Sequence, residues 1–220
     1  MELNKYIDHT LLKASATKSE IKTLCEEAKQ YDFATVCVNP TQIEYASELL
    51  KGTNVGITTV IGFPLGASTS EVKAFETADA IQKGATEIDM VVNIGAIKDG
   101  NWDLVLSDMK AVKASAPNNV VKCIMENCLL TKEEIVKACE MAVEAKLEFV
   151  KTSTGFSTGG ATFDDVKLMS ETVKRNAEVK AAGGVRTFED AMKMIENGAT
   201  RLGTSGGVSI VNGKDNNTAY

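Results

Sequence analysis

Lys151 lies in an apolar run, Phe149-Val150-Lys151, that passes straight into Thr152-Ser153-Thr154-Gly155. An ammonium is costly to strip of water, and a buried lysine escapes that cost by giving up its proton. The neutral amine that results is a nucleophile suited to Schiff-base formation with a carbonyl. At an ordinary pKa of about 10.4 only roughly one amine in two thousand is free at neutral pH; a site that lowers the pKa to about 7 frees half of them, a difference of roughly 4–5 kcal/mol.

Two further lysines, Lys122 and Lys180, flank Lys151 at an interval of 29 residues on either side. Both sit in short apolar runs, so the spacing predicts three ammonium groups on consecutive strands at similar height. Like charges a few ångström apart lower one another's pKa, which would leave one lysine neutral beside a charged neighbour. Asp89, in Glu87-Ile88-Asp89-Met90-Val91, is an acid in an otherwise apolar run. It serves either as the counter-ion that keeps a lysine charged or as the group that moves protons during carbinolamine formation and C–C cleavage, and the two roles are compatible. Asp8, Cys37, Asn93 and Glu126 are the other polar residues late in apolar runs.

Glycine-rich turns close the last two runs: Gly183-Gly184 after Lys180-Ala181-Ala182, and Gly203 through Gly207 around Thr204-Ser205. Backbone N–H groups there, with a helix start expected at Ser205, suit a phosphate better than a plain tight connection. His9 is the only histidine, which reads as a structural residue and makes a zinc or iron site a poor expectation. No metal and no cofactor are expected.

These residues need a scaffold. Eight short, β-branched runs, 7–12, 34–39, 55–63, 87–93, 120–126, 149–154, 179–185 and 201–205, alternate with segments of helical periodicity. Thr17/Glu20, Ser68/Glu71, Thr131/Glu134, Thr162/Asp165 and Thr187/Asp190 read as capping pairs at helix starts. Asn39-Pro40 reads as another start, and Gly52, Gly84 and Gly198 as helix ends. Eight strands in 220 residues, about 27 per unit, is the pattern of a compact (β/α)8 TIM barrel. A doubly wound sheet would carry a glycine-rich turn after its first strand, and Asp8-His9-Thr10-Leu11-Leu12-Lys13 has no glycine. We expect one α/β barrel domain over 1–206 and a polar tail over 207–220 whose terminal Tyr220 could reach the barrel mouth.

A net charge of −6 gives no reason to expect nucleic acid or an anionic membrane surface as a partner. Five cysteines without a Cys-x-x-Cys pair read as reduced thiols, and no signal peptide or apolar span is visible, so a cytoplasmic protein is expected. On the residues alone three readings stay open: a Schiff-base aldolase, a sugar-phosphate isomerase or epimerase on the same barrel, and a non-catalytic phosphate-metabolite binding protein.

Ile7-Asp8-His9-Thr10-Leu11-Leu12-Lys13, Val150-Lys151-Thr152-Ser153-Thr154-Gly155-Phe156, Gly159-Gly160-Ala161-Thr162, Val179 through Thr187 and Arg201-Leu202-Gly203-Thr204-Ser205 together resemble the deoxyribose-phosphate aldolase family. The resemblance runs in order along essentially the whole chain. It implies reversible, metal-free cleavage of 2-deoxy-D-ribose 5-phosphate to D-glyceraldehyde 3-phosphate and acetaldehyde. It also implies Lys151 as the Schiff-base lysine, Lys180 as the second lysine and Asp89 as the acid/base. Phosphate contacts would map to Gly155, Gly184, Gly203, Ser205 and Gly206, and the assembly to a homodimer. Phe156 stands where some members carry a lysine, and Gly206-Gly207 where a second serine is common. The first leaves the implied site short of one phosphate cation, and the second shifts the implied phosphate binding toward backbone N–H groups.

Overall fold

The computed structural model describes residues 2–214, so Tyr220 lies outside the described residues. Eight parallel strands close into a barrel in chain order: β1 (Ile7–Leu11), β2 (Thr35–Val38), β3 (Gly56–Ile61), β4 (Glu87–Val91), β5 (Val120–Ile124), β6 (Phe149–Lys151), β7 (Glu178–Ala182) and β8 (Arg201–Thr204), with β8 pairing back onto β1. All eight sequence-derived strands are present, and each stops one to three residues early because its last residues turn into the loop.

Helices α1 (Lys18–Tyr31), α2 (Ile43–Leu50), α3 (Ser70–Gln82), α4 (Ile94–Lys98), α5 (Trp102–Ser115), α6 (Lys132–Glu144), α7 (Phe163–Val173) and α8 (Phe188–Glu196) fill the crossovers, and α9 (Gly207–Val211) follows β8. Reciprocal capping boxes start α1, α6 and α8 at Thr17, Thr131 and Thr187. Thr162 caps α7 through the N–H of Asp165. The start of α3 is displaced from the expected Ser68: Thr69 takes the cap and accepts from the N–H of Val72. Pro40 opens a single 3-10 turn, Pro40–Gln42, that runs into α2. Gly52, Gly84 and Gly198 all have the positive φ of a left-handed helix end.

The segment expected to be tail from residue 207 begins instead as α9, with Gly207 and Ile210 buried. Gly207 has no side chain because a Cβ there would stand 2.9 Å from Ile7 Cγ2 and 3.0 Å from His9 Nδ1. The barrel unit therefore continues through α9, and the helix start read at Ser205 falls two residues later.

Strand alternation separates two interiors. Ile88, Met90, Val121, Cys123, Val150, Val179, Ala181 and Leu202 join one large apolar core between strands and helices. The residues between them face the barrel lumen, where a small apolar patch of Leu12, Cys37 and Val60 is accompanied by a cluster of charges. Between helices, Lys73 of α3 is fully buried with Asp108 of α5, Nζ to Oδ2 2.5 Å, and also donates to the carbonyl of Val91 at 2.9 Å. Removing one partner of such a pair leaves an uncompensated charge, whereas replacing both with apolar groups is tolerated. Lys73→Met should lower unfolding free energy by about 3–5 kcal/mol, and Lys73→Met with Asp108→Leu should recover most of that loss, as read by denaturant titration.

Candidate active site

Lys151 is the last residue of β6, Lys180 the third of β7 and Asp89 the third of β4, and all three side chains point into the lumen with at most 3% exposure. The ladder pairs Lys151 directly with Lys180. On its other side Lys151 pairs with Ile124, while Lys122 pairs with Phe149. Lys122 thus sits two residues below the expected position, because equal spacing in sequence does not give equal register when the connecting segments differ.

All three ammonium groups nevertheless meet on one carboxylate. Lys151 and Lys180 each donate to Asp89 Oδ2 at 2.8 Å, and Lys122 donates to Oδ1 at 3.0 Å. Lys180 is also ion-paired with Asp8 Oδ2 at 2.5 Å. Deeper in the barrel Lys122 pairs with Glu87 at 2.5 Å, and Arg201 bridges Asp8 Oδ1 at 2.7 Å and Glu87 Oε2 at 2.9 Å. Thr35 donates to Asp8 Oδ1 and shares a hydrogen bond with Thr58, and the ring of Phe149 lies under both Lys122 and Arg201.

These contacts divide the two upper lysines. Burial lowers the pKa of Lys151, Asp89 pulls it up and the charge of Lys180 lowers it again, for a net downward shift. Burial also disfavours the charged form of Lys180, but Asp8 and Asp89 outweigh it and hold Lys180 above the usual lysine range. Burial opposes ionisation of Asp89, and the ammonium groups of Lys122, Lys151 and Lys180 overcome it, leaving the carboxyl well below the usual carboxylate range. The site therefore holds a lysine poised to lose its proton beside one that keeps it.

Gly203 lies within β8, where a Cβ would press on Lys180 Cε at 3.1 Å and Ala182 Cβ at 3.0 Å; its bare Cα makes room for the Lys180 side chain. The other expected phosphate residues lie on the rim. Gly155 and Gly184 have φ of +85° and +86°, and Gly184 is open to solvent. The loops after β6 and β7 touch at Gly160 and Gly183, whose carbonyl would stand 2.3 Å from a Cβ at Gly160. Ser205 is half-buried, and the N–H of Gly206 is already donated to Thr204 Oγ1, whose own hydroxyl donates to Val185 O and ties the loop after β8 to the one after β7.

Glu126, with left-handed φ 56°, is buried at the end of β5 and receives the N–H and hydroxyl of Thr154, so it braces the loop that follows Lys151. Asn93 caps α4 through the N–H of Ala96. The buried hydroxyl of Ser153 has no hydrogen-bond partner among the described residues, and Phe63 and Phe156 meet edge to face at 5.2 Å between the loops after β3 and β6. His9 faces outward to Glu27, Nε2 to Oε2 2.6 Å, as a structural residue would. Glu87, Arg201, Thr35 and Thr58 are the network members that reasoning from late-strand polar residues missed. Glu87 and Arg201 are the first residues of β4 and β8, and their signal was a charge opening an otherwise apolar strand.

The model of the DeoC/LacD family aldolase matches residues 3–212. The chain is 73% identical over 220 residues, and over the full length of both chains, to deoxyribose-phosphate aldolase 1 of Mesoplasma florum. It is 60% identical, again over the full length of both, to the deoxyribose-phosphate aldolase of Streptococcus sanguinis. The solved tetrameric deoxyribose phosphate aldolase of Aeropyrum pernix superposes with a TM-score of 0.89 at 32% identity, over 96% of this chain and 89% of that one. A match of that extent, on a closed barrel whose lumen gathers the lysines, places the chain in the DeoC/LacD family of aldolases.

Proposed function

We propose that the chain is a deoxyribose-phosphate aldolase that cleaves 2-deoxy-D-ribose 5-phosphate reversibly through a Schiff base on Lys151. The observation that carries this reading is the unequal pair: Lys151 has one carboxylate oxygen, shared, while Lys180 has two carboxylates. Neutral Lys151 attacks C1 of the open-chain sugar; the carbinolamine loses water and becomes an iminium. The C3 hydroxyl gives its proton to a bridging water that passes one of its own to the Asp89 carboxylate, and the C2–C3 electron pair moves into the iminium. D-glyceraldehyde 3-phosphate leaves and an enamine remains on Lys151. Protonation of its C2 and addition of water then release acetaldehyde and regenerate the amine. Lys180 stays charged throughout, stabilising the negative charge that forms on the carbinolamine oxygen.

The substrate phosphate is assigned to the rim, with Gly155, Gly184 and Ser205 nearest solvent, Gly206 beside them and Gly203 acting through the position of Lys180. The described residues include no group of three or more His, Cys, Asp or Glu suited to hold a metal ion. No helix among them is long and apolar enough to cross a membrane. The family resemblance is the support for assigning the enzyme to the cytoplasm as a homodimer. Light scattering reads the assembly.

Incubation with acetaldehyde and cyanoborohydride should leave an ethyl group on Lys151 alone, located by peptide mass mapping; modification of another lysine, with Lys151 untouched, would overturn the assignment. Lys151→Ala should retain less than about one ten-thousandth of the turnover. Full turnover in that variant would return the site to an isomerase or binding reading. Asp89→Asn should cost about 10²–10⁴-fold in kcat. Because the pKa of Lys151 is lowered, kcat/KM should hold to lower pH than an ordinary lysine would allow and fall on the acid side as the amine takes up its proton; treatment with a chelator should leave it unchanged.

A further inference from the structure

The lumen network contains four cations, Lys122, Lys151, Lys180 and Arg201, and three carboxylates, Asp8, Glu87 and Asp89. With every group ionised, one positive charge is left over in a space where Asp8, Asp89, Lys122 and Lys180 have no exposure at all. An unbalanced charge in such a setting is relieved by losing a proton. Arg201 cannot supply it, since a guanidinium stays protonated in proteins. Lys122 is held by Glu87 and Asp89, and Lys180 by Asp8 and Asp89. Lys151 alone in the network touches a single carboxylate oxygen, Asp89 Oδ2, which Lys180 also uses.

We infer that Arg201 and Glu87, half-buried at the lower end of the barrel and out of contact with Lys151, are positioning residues that set the proton affinity of Lys151 by fixing the charge balance of the network. The inference rests on Lys151 as the Schiff-base residue and adds what tunes it. The groups facing Lys151 are Asp89 from β4, Lys180 from β7 and the Cys37 thiol from β2, which burial keeps protonated. Those facing Arg201 are Asp8 from β1 and Glu87 from β4, with the Phe149 ring from β6 against it. Glu126 is turned to Thr154 and stands outside the network. The influence thus passes from Arg201 through Asp8 to Lys180, and from Glu87 through Lys122 to Asp89.

The sign differs for the two residues. Arg201→Met removes the surplus, so all three lysines can stay protonated and Lys151 holds its proton to higher pH. Glu87→Gln doubles the surplus and releases the proton at lower pH. The double variant restores the original imbalance. The test is the pH dependence of Lys151 ethylation by acetaldehyde and cyanoborohydride, followed by peptide mass mapping on the full chain, with circular dichroism to verify folding. Arg201→Met should move the acid limb up and Glu87→Gln should move it down, each on the order of one pH unit, which is about tenfold in labelling rate at fixed pH below the limb. Arg201→Lys, which keeps the charge, should leave the limb in place, and the double variant should return it close to that of the parent.

A purely structural role would make the double variant the worst of the set and shift neither limb in a charge-dependent direction. Labelling of Lys151 with both limbs unmoved, or moved the same way, would overturn the inference while leaving the Schiff-base reading intact. Absence of Lys151 labelling in the parent chain would overturn that reading itself. Should Arg201→Met fail to fold, the direction of the Glu87→Gln shift decides.

Discussion

One carboxylate organises the interior of this barrel. Asp89 is fully buried and receives three ammonium groups, two on Oδ2 and one on Oδ1. None of the four groups could be ionised alone in that setting, since each would meet the full cost of losing water. Together they are held charged, or nearly so, by contacts that only the closed barrel can arrange, because Asp89, Lys122, Lys151 and Lys180 come from four strands, β4 to β7. The lumen of a TIM barrel is commonly packed with branched apolar side chains. Here much of it is occupied by charge, and the apolar packing is displaced to the shell between strands and helices.

That exchange has an energetic side. Buried ion pairs seldom stabilise a fold over apolar packing of the same volume. What the pairs supply here is definition: each ammonium has a fixed number of carboxylate oxygens, and the numbers are unequal. The inequality between Lys151 and Lys180 follows from register, which pairs them side by side, and from Asp8, which reaches Lys180 and has no contact with Lys151. Two side chains of the same type are thereby made unlike by geometry, one poised to lose its proton and the other held charged.

Much of this was legible in the sequence. Strand existence followed from short β-branched runs, and capping pairs such as Thr131/Glu134 located helix starts to the residue. Lys151, Lys180 and Asp89 stood out as charges in apolar surroundings, and the structure brings them together. What was hidden depends on register and on the far end of the strands. Lys122 was expected level with Lys151, but the ladder offsets it by two residues, and that offset sends it to Oδ1 and Glu87 instead of the mouth. Glu87 and Arg201 went unread because a charge at the start of a strand ordinarily marks a solvated end. The Ser68 cap failed for a smaller reason: Thr69, the neighbouring hydroxyl, was equally able to cap, and sequence does not choose between adjacent candidates.

The Lys73 ammonium sits on the outer side of the same strand whose inner side carries Asp89, and it binds the carbonyl of Val91. Strand β4 is therefore gripped from both faces, by the lysines of the lumen within and by the α3–α5 pair without. Loosening of the helical jacket around α3 would release Val91 and, two residues away, the carboxylate on which the lysines converge. On heating, loss of turnover and loss of side-chain order around β4 should then share one transition, so that the enzyme has no wide temperature range in which it is folded yet inactive.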